Sequence, residues 1–266
     1  MKKITLLFII ICFNSYSQEV AFKKVVEKDS THINIINYLY APIEANITPV
    51  ETLKARIKIK PYFILEKRDT IYKILSIPNT IIKDTSKITV TDYLKFDLVL
   101  GDPNTIKHNN KYLYALPYPK GKTYSIIQSF KGKFSHSSTR SKYAIDFNLQ
   151  IGDTITAARE GIVVRIKDEY KEHGGRDFID KANLVTIIHD DGTIAAYVHL
   201  DYKSVFVKPG DYVKKGQPIG LSGFTGFSTK PHLHFVVRKE QNIAIPIYFE
   251  GYAKKILKKN KRYKRH

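Results

Sequence analysis

Five residues near the end of this 266-residue chain restrict its fold more than any others: Pro231, His232, Leu233, His234 and Phe235. In an extended strand successive side chains point to opposite faces, so His232 and His234 share one face while Leu233 and Phe235 share the other. The pattern sends two imidazoles toward a groove and two large apolar groups into a core. Two solvent-facing histidines on a strand of alternating polarity are the plainer reading, and its weight falls once the other histidines are counted.

The rest of the chain reads as mostly β. From about Val20 to Leu100 short alternating runs recur: Ala55, Ile57 and Ile59 between lysines and an arginine, and Leu94, Phe96, Leu98 and Leu100 between Tyr93, Lys95 and Asp97. Each buries one face, which predicts a small antiparallel, β-sandwich-like N-terminal domain over residues 18–104, with prolines punctuating its turns. His32 lies there without a ligand partner and reads as structural. Turn residues at Gly101, Asp102, Pro103 and Asn104 mark the junction.

The second half, residues 105–250, is again strand-rich. Ile162, Val164 and Ile166 alternate after Gly161. Val185 and Ile187 lead into His189, Asp191 and Gly192 predict a two-residue hairpin turn, and Tyr197 and His199 then share a face of the returning strand. Residues 167–182 predict a polar loop that walls a cleft, with His173 exposed on it.

The first 17 residues read as a cleaved secretory leader, since Lys2 and Lys3 precede a ten-residue apolar run, Ile4 to Phe13, followed by small residues. That run is too short to span a bilayer, and no later one suffices. Cleavage would remove Cys12, the only cysteine, so stability must come from the core and any bound metal. The formal charge of +19 favours polyanionic partners, which outside a bacterial cytoplasm means wall polymers or lipid head groups more readily than nucleic acid. Much of it sits in residues 251–266, a basic tail expected to be disordered and solvated, with adhesion to anionic wall polymers as its secondary use.

A hydrolytic zinc site needs three protein ligands and one open position. His136, Asp146, His199, His232 and His234 supply more than enough candidates. Asp146 lies among Tyr143, Ala144, Ile145 and Phe147, where an ionised carboxylate is costly without a cation; a buried, hydrogen-bonded aspartate is the alternative. There is no His-Glu-x-x-His helix motif and no Gly-x-Ser-x-Gly elbow.

Residues 134–237 resemble the catalytic domain of lysostaphin-type zinc metallopeptidases, bacterial peptidoglycan endopeptidases with a duplicated-hybrid-motif β fold. The resemblance is carried by His136 and residues 143–147; Ala157, Ala158, Gly161 and Val163; Asp191, Gly192 and Thr193; Tyr197, His199 and Leu200; Gly210, Asp211, Val213, Gly216, Gln217, Ile219, Gly220, Ser222, Gly223, Thr225 and Gly226; and His232, Leu233, His234 and Phe235. It implies one zinc ion held by His136, Asp146 and His234, a catalytic pair in His199 and His232, and peptidoglycan or its peptides as substrate. Phe224 stands where asparagine is usual and Lys230 where glycine is common. A non-catalytic scaffold of the same fold, binding wall or activating a wall amidase, is the rival reading. The stretch 207–217 also resembles biotinyl and lipoyl carrier domains, but no lysine sits at a hairpin tip with the apolar neighbours a carrier needs.

Overall fold

A computed structural model describes residues 19–50, 58–82, 89–253 and 255–266. The expected leader, with Cys12, and the alternation through Ala55 and Ile57 lie outside the described residues. The chain divides after Asp102 into two compact units.

The described strands of the first unit form two antiparallel sheets. One runs in the order Val20–Val26, Ser30–Asn37, Thr70–Pro78 and Lys58–Ile59; the other has Ile43–Pro49 between Tyr62–Leu65 and Leu94–Leu100. Ile33, Ile35, Leu75 and Ile77 of the first sheet and Ile43, Ala45, Ile47 and Phe63 of the second are buried. Phe22 and Phe96 touch across them, 4.5 Å between ring centroids. His32 is buried and tied to Ser30 and Ser76, a structural role.

The second unit, Pro103–His266, is built on a nine-stranded sheet. Its main path runs Tyr212–Val213, Gly161–Lys167, Leu184–Ile188, Ile194–Val198, Leu233–Lys239, Ile145–Phe147, Thr123–Gln128 and Arg262–Lys264. A three-stranded sheet holds Pro218–Ser222 between Thr154–Thr156 and Leu200–Val205. Tyr114, Phe147, Tyr197, Phe235 and Phe249 belong to one buried cluster, which removes large apolar areas from water and anchors the sheet. Among the described residues no helix is long and apolar enough to cross a membrane.

Three local expectations are corrected. A register shift between Val163 and Arg165 breaks the alternation of Ile162, Val164 and Ile166, so Val163 and Ile166 are the residues that pack on the main core. The hairpin after His189 has three loop residues, not two: His189 N donates to Thr193 O and Gly192 N to His189 O, and Gly192 takes the left-handed turn position at φ +80°. The basic C-terminal segment is folded instead of solvated. Arg262–Lys264 pairs with Thr123, Tyr124 and Ser125 on the sheet edge, Leu257 is 1 % exposed, and Arg265 donates to Tyr118 O and Thr156 Oγ1. The like-charge rule failed because Tyr252, Leu257 and Tyr263 punctuate the lysines and supply a face to bury.

Candidate metal centre

Strand register assembles the centre. Asp146 lies in the middle of three neighbouring strands, directly opposite His234 on one side and Gln128 on the other. Directly paired residues project to the same face of a sheet, so this register alone brings the carboxylate, the imidazole and the amide together. Leu233 and Phe235, flanking His234, are fully buried on the opposite face, as their alternation requires. His136 comes from the turn-rich loop between Thr123–Gln128 and Ile145–Phe147 and is itself fully buried.

The three side chains converge on one point. His136 Nε2 lies 3.1 Å from Asp146 Oδ1 and 3.3 Å from His234 Nδ1, and His234 Nδ1 lies 2.8 Å from Asp146 Oδ1. A tetrahedral zinc ion with bonds of about 2.0–2.1 Å sets its ligand atoms roughly 3.3 Å apart, so two imidazole nitrogens and a carboxylate oxygen at these separations fit it in both chemistry and spacing. They form a cluster with metal-ligand potential among the described residues.

The surrounding bonds orient these donors. His136 Nδ1 donates to Ser129 O at 3.0 Å, which leaves Nε2 toward the centre. Gln128 Nε2 donates to Asp146 Oδ2 at 3.3 Å and to Ser135 Oγ at 2.8 Å, while its Oε1 accepts from Phe134 N at 3.2 Å. Burial on its own would raise the Asp146 pKa, but the bonds from His136 and His234 outweigh it and hold the carboxylate well below its ordinary range. Burial works against a charge on His136 as well, yet the Asp146 bond prevails and raises its pKa; at His234 burial prevails and lowers it.

His199 and His232 stand beside this cluster. Their ring centroids are 4.6 Å apart, His199 is 6.0 Å from His234, and His232 Nε2 is 3.9 Å from Asp146 Oδ1. His199 Nδ1 donates to Thr225 O at 2.6 Å, and His232 Nδ1 to Lys230 O at 2.9 Å with Ser228 Oγ at 3.2 Å. In each ring the backbone holds Nδ1 and leaves Nε2 available. Burial, then the neighbouring His232 and His234, push the His199 pKa down to about 3, so this imidazole is neutral at neutral pH.

The expected common face of Tyr197 and His199 is overturned. Tyr197 is fully buried, packs on Phe235 and accepts a hydrogen bond from Ala158 N at 2.7 Å. His199 follows the end of its strand with φ +70°, a left-handed conformation that breaks the alternation and releases its side chain from the core side. Asn183 braces this turn, accepting from His199 N through its carbonyl and donating from Nδ2 to Leu200 O and Asp201 O.

Around the centre His173 is exposed and stacks on Phe224, 3.5 Å between centroids, and exposed Phe134 stacks on Phe227 at 5.9 Å. His173–Gly174 and Gly226–Phe227 form a short parallel pair that ties the expected wall loop to the segment carrying Thr225. Gln128, Asn183 and Ser129 were not singled out from the sequence, since nothing in their residue type marks an orienting role.

Residues 140–246 match the model described as Peptidase family M23. The chain is 42 % identical over 94 residues to lysostaphin of Staphylococcus staphylolyticus, covering 35 % of this chain and 18 % of that protein. It is 32 % identical over 121 residues to peptidoglycan DD-endopeptidase ShyA of Vibrio cholerae, covering 44 % and 26 % respectively. Among solved structures, the catalytic domain of lysostaphin from Staphylococcus simulans aligns at 31 % identity with a TM-score of 0.34, over 47 % of this chain and 87 % of that one. The matched segment thus spans well under half the length of these curated relatives. The family model takes in Asp146, His199, His232 and His234 and leads to one assignment: residues 140–246 are a Peptidase family M23 domain, and the chain is similar in sequence to lysostaphin and to a peptidoglycan DD-endopeptidase.

Proposed function

We propose that the protein is a secreted, zinc-dependent endopeptidase that hydrolyses peptide bonds in the cross-links or stem peptides of peptidoglycan. The observation that carries this reading is the convergence of His136 Nε2, Asp146 Oδ1 and His234 Nδ1 on one point, with two further histidines alongside. A wall-binding or amidase-activating scaffold has no use for that set. The relatives named as lysostaphin and as a peptidoglycan DD-endopeptidase support the substrate class, the apolar leader supports export, and the positive charge favours approach to an anionic wall.

In this reading His136, Asp146 and His234 hold the metal, and His199 and His232 act on the peptide. Bound zinc supplies a Lewis acid that polarises the scissile carbonyl and acidifies water. Neutral His199, its Nδ1 proton engaged by Thr225 O, offers Nε2 as a hydrogen-bond acceptor that orients the attacking water. His232 is 13 % exposed at its side chain, so it can exchange protons with solvent and pass one to the leaving amine.

The test is mass spectrometry of fragments released from purified peptidoglycan, with and without zinc and a chelator. Chelator-sensitive appearance of new amine termini is expected. His234→Ala and Asp146→Ala should lose both metal and cleavage, whereas His199→Ala and His232→Ala should keep zinc and lose about 10²–10⁴-fold in turnover. Full cleavage by the His234→Ala protein would refute the assignment.

A further inference from the structure

The folded C-terminal segment brings one lysine, Lys259, to a cavity beside the proposed metal centre. A cavity of about 470 Å³ is lined by Gln128, Phe130, Lys131, Lys133, Phe134 and Lys259 among others, and no carboxylate is in its wall. Lys131 and Lys133 belong to the loop that leads to His136. Lys259 arrives from the other end of the unit, and hydrogen bonds at its neighbours fix the segment: Asn260 N donates to Ile126 O at 2.8 Å, Lys258 N to Tyr263 Oη at 2.7 Å, and Ser129 Oγ to Leu257 O at 2.5 Å. Three lysines from two separate segments with no carboxylate among them make the wall of this cavity electropositive, which favours an anion there.

The wall also says what kind of anion. Phe130 and Phe134 give it apolar surface beside the charge, which suits a carboxylate borne on an organic chain better than a bare inorganic ion. Gln128 lines the cavity and donates from Nε2 to Asp146 Oδ2, so one residue links the cavity to the proposed metal centre. Phe134 stacks on Phe227 and connects the cavity to the segment whose Thr225 O holds His199.

We propose that this cavity binds a free carboxylate of the peptide substrate and sets which peptide lies across the metal centre. The proposal rests on the peptidase reading for its substrate. The lysine-rich end is then a wall of the substrate site and not a tether.

The test uses the zinc-loaded full-length chain and calorimetry with an acylated wall-type tetrapeptide, its C-terminus either free or amidated. The wild type should bind the amide at least tenfold more weakly than the acid. A triple variant, Lys131→Gln, Lys133→Gln and Lys259→Gln, should bind both forms with the affinity of the amide. The three lysines are exposed, so the variant keeps its fold, and its melting temperature checks this. Equal wild-type affinity for acid and amide would overturn the proposal. So would an amidation penalty that survives in the triple variant, since the metal would then be holding the carboxylate, or displacement by a glycerol-phosphate polymer without any effect of amidation. Chelator-sensitive wall cleavage is scored separately: cleavage with no carboxylate preference removes the cavity proposal alone, and lysine-dependent carboxylate binding without cleavage removes the peptidase reading alone.

Discussion

Gln128 offers the sharpest test of how the metal centre is held. Its amide reaches Asp146 Oδ2 and Ser135 Oγ, and its carbonyl takes Phe134 N, so one side chain fixes both a proposed ligand and the loop that carries another. Gln128→Met keeps the volume and removes every one of these bonds. A hydrogen bond to a charged group contributes about 1.5–3 kcal/mol, and at 3.3 Å the Asp146 contact belongs at the lower end. About 1.4 kcal/mol is a factor of ten in an equilibrium constant, and groups that orient metal ligands typically change metal affinity by 10- to 100-fold, so the expected loss in zinc affinity is roughly tenfold. Competition against a chromogenic chelator measures it directly, without any peptide substrate.

Gly132 extends the same argument. A Cβ there would fall 2.3 Å from Gln128 Cγ, 2.6 Å from Cδ and 2.9 Å from Oε1, so Gly132→Ala forces the amide off Asp146. Its zinc affinity should drop at least to the level of Gln128→Met. Zinc affinity within twofold of wild type in a Gln128→Met protein of unchanged melting temperature would refute the reasoning.

Leu257→Ala should lower stability by about 2–5 kcal/mol, because its side chain is buried under the C-terminal segment; an unchanged melting temperature would restore the solvated tail. Tyr197→Phe leaves the buried Ala158 N–H without its acceptor and should cost about 1–3 kcal/mol by chemical denaturation, with wall cleavage unchanged; lost cleavage at full stability would place Tyr197 in the groove. His189 is buried, with Nδ1 donating to Glu160 O, and burial pushes its pKa down from 6.5 to about 4. The unfolded chain therefore takes up this proton first as pH falls, so the stability is fully present above the unfolded value and is lost between about 6.5 and 4, by about 3 kcal/mol. His189→Gln should flatten the denaturation profile across that window, and an unaltered slope would show that His189 is not the group responsible.

What could be read from the sequence was the part written in side-chain identity and period. The alternation of His234 with Leu233 and Phe235, and the apolar setting that made an ionised Asp146 costly, identified residues that do converge. Register could not be read, because a pairing offset of one residue turns every side chain to the other face, and only the pairing of Asp146 with Gln128 shows that a glutamine belongs to the centre. Tyr197 and His199 were assigned a common face on the assumption of continuous extended backbone, and a single left-handed residue cancels that assumption.

The same distinction explains how the site is kept in order. His136, His199 and His232 are each aimed by a main-chain carbonyl, of Ser129, Thr225 and Lys230 in turn. A carbonyl is present whatever residue occupies the position, so those three contacts leave no mark in the sequence and depend on the path of the backbone alone. Lys230 therefore can stand where glycine is common without disturbing His232, since its carbonyl is the part that works. Asn183 differs, because its side chain secures the turn that releases His199 from the strand, and the orientation of His199 depends on that amide although it touches neither the metal ligands nor the peptide in the proposed reading.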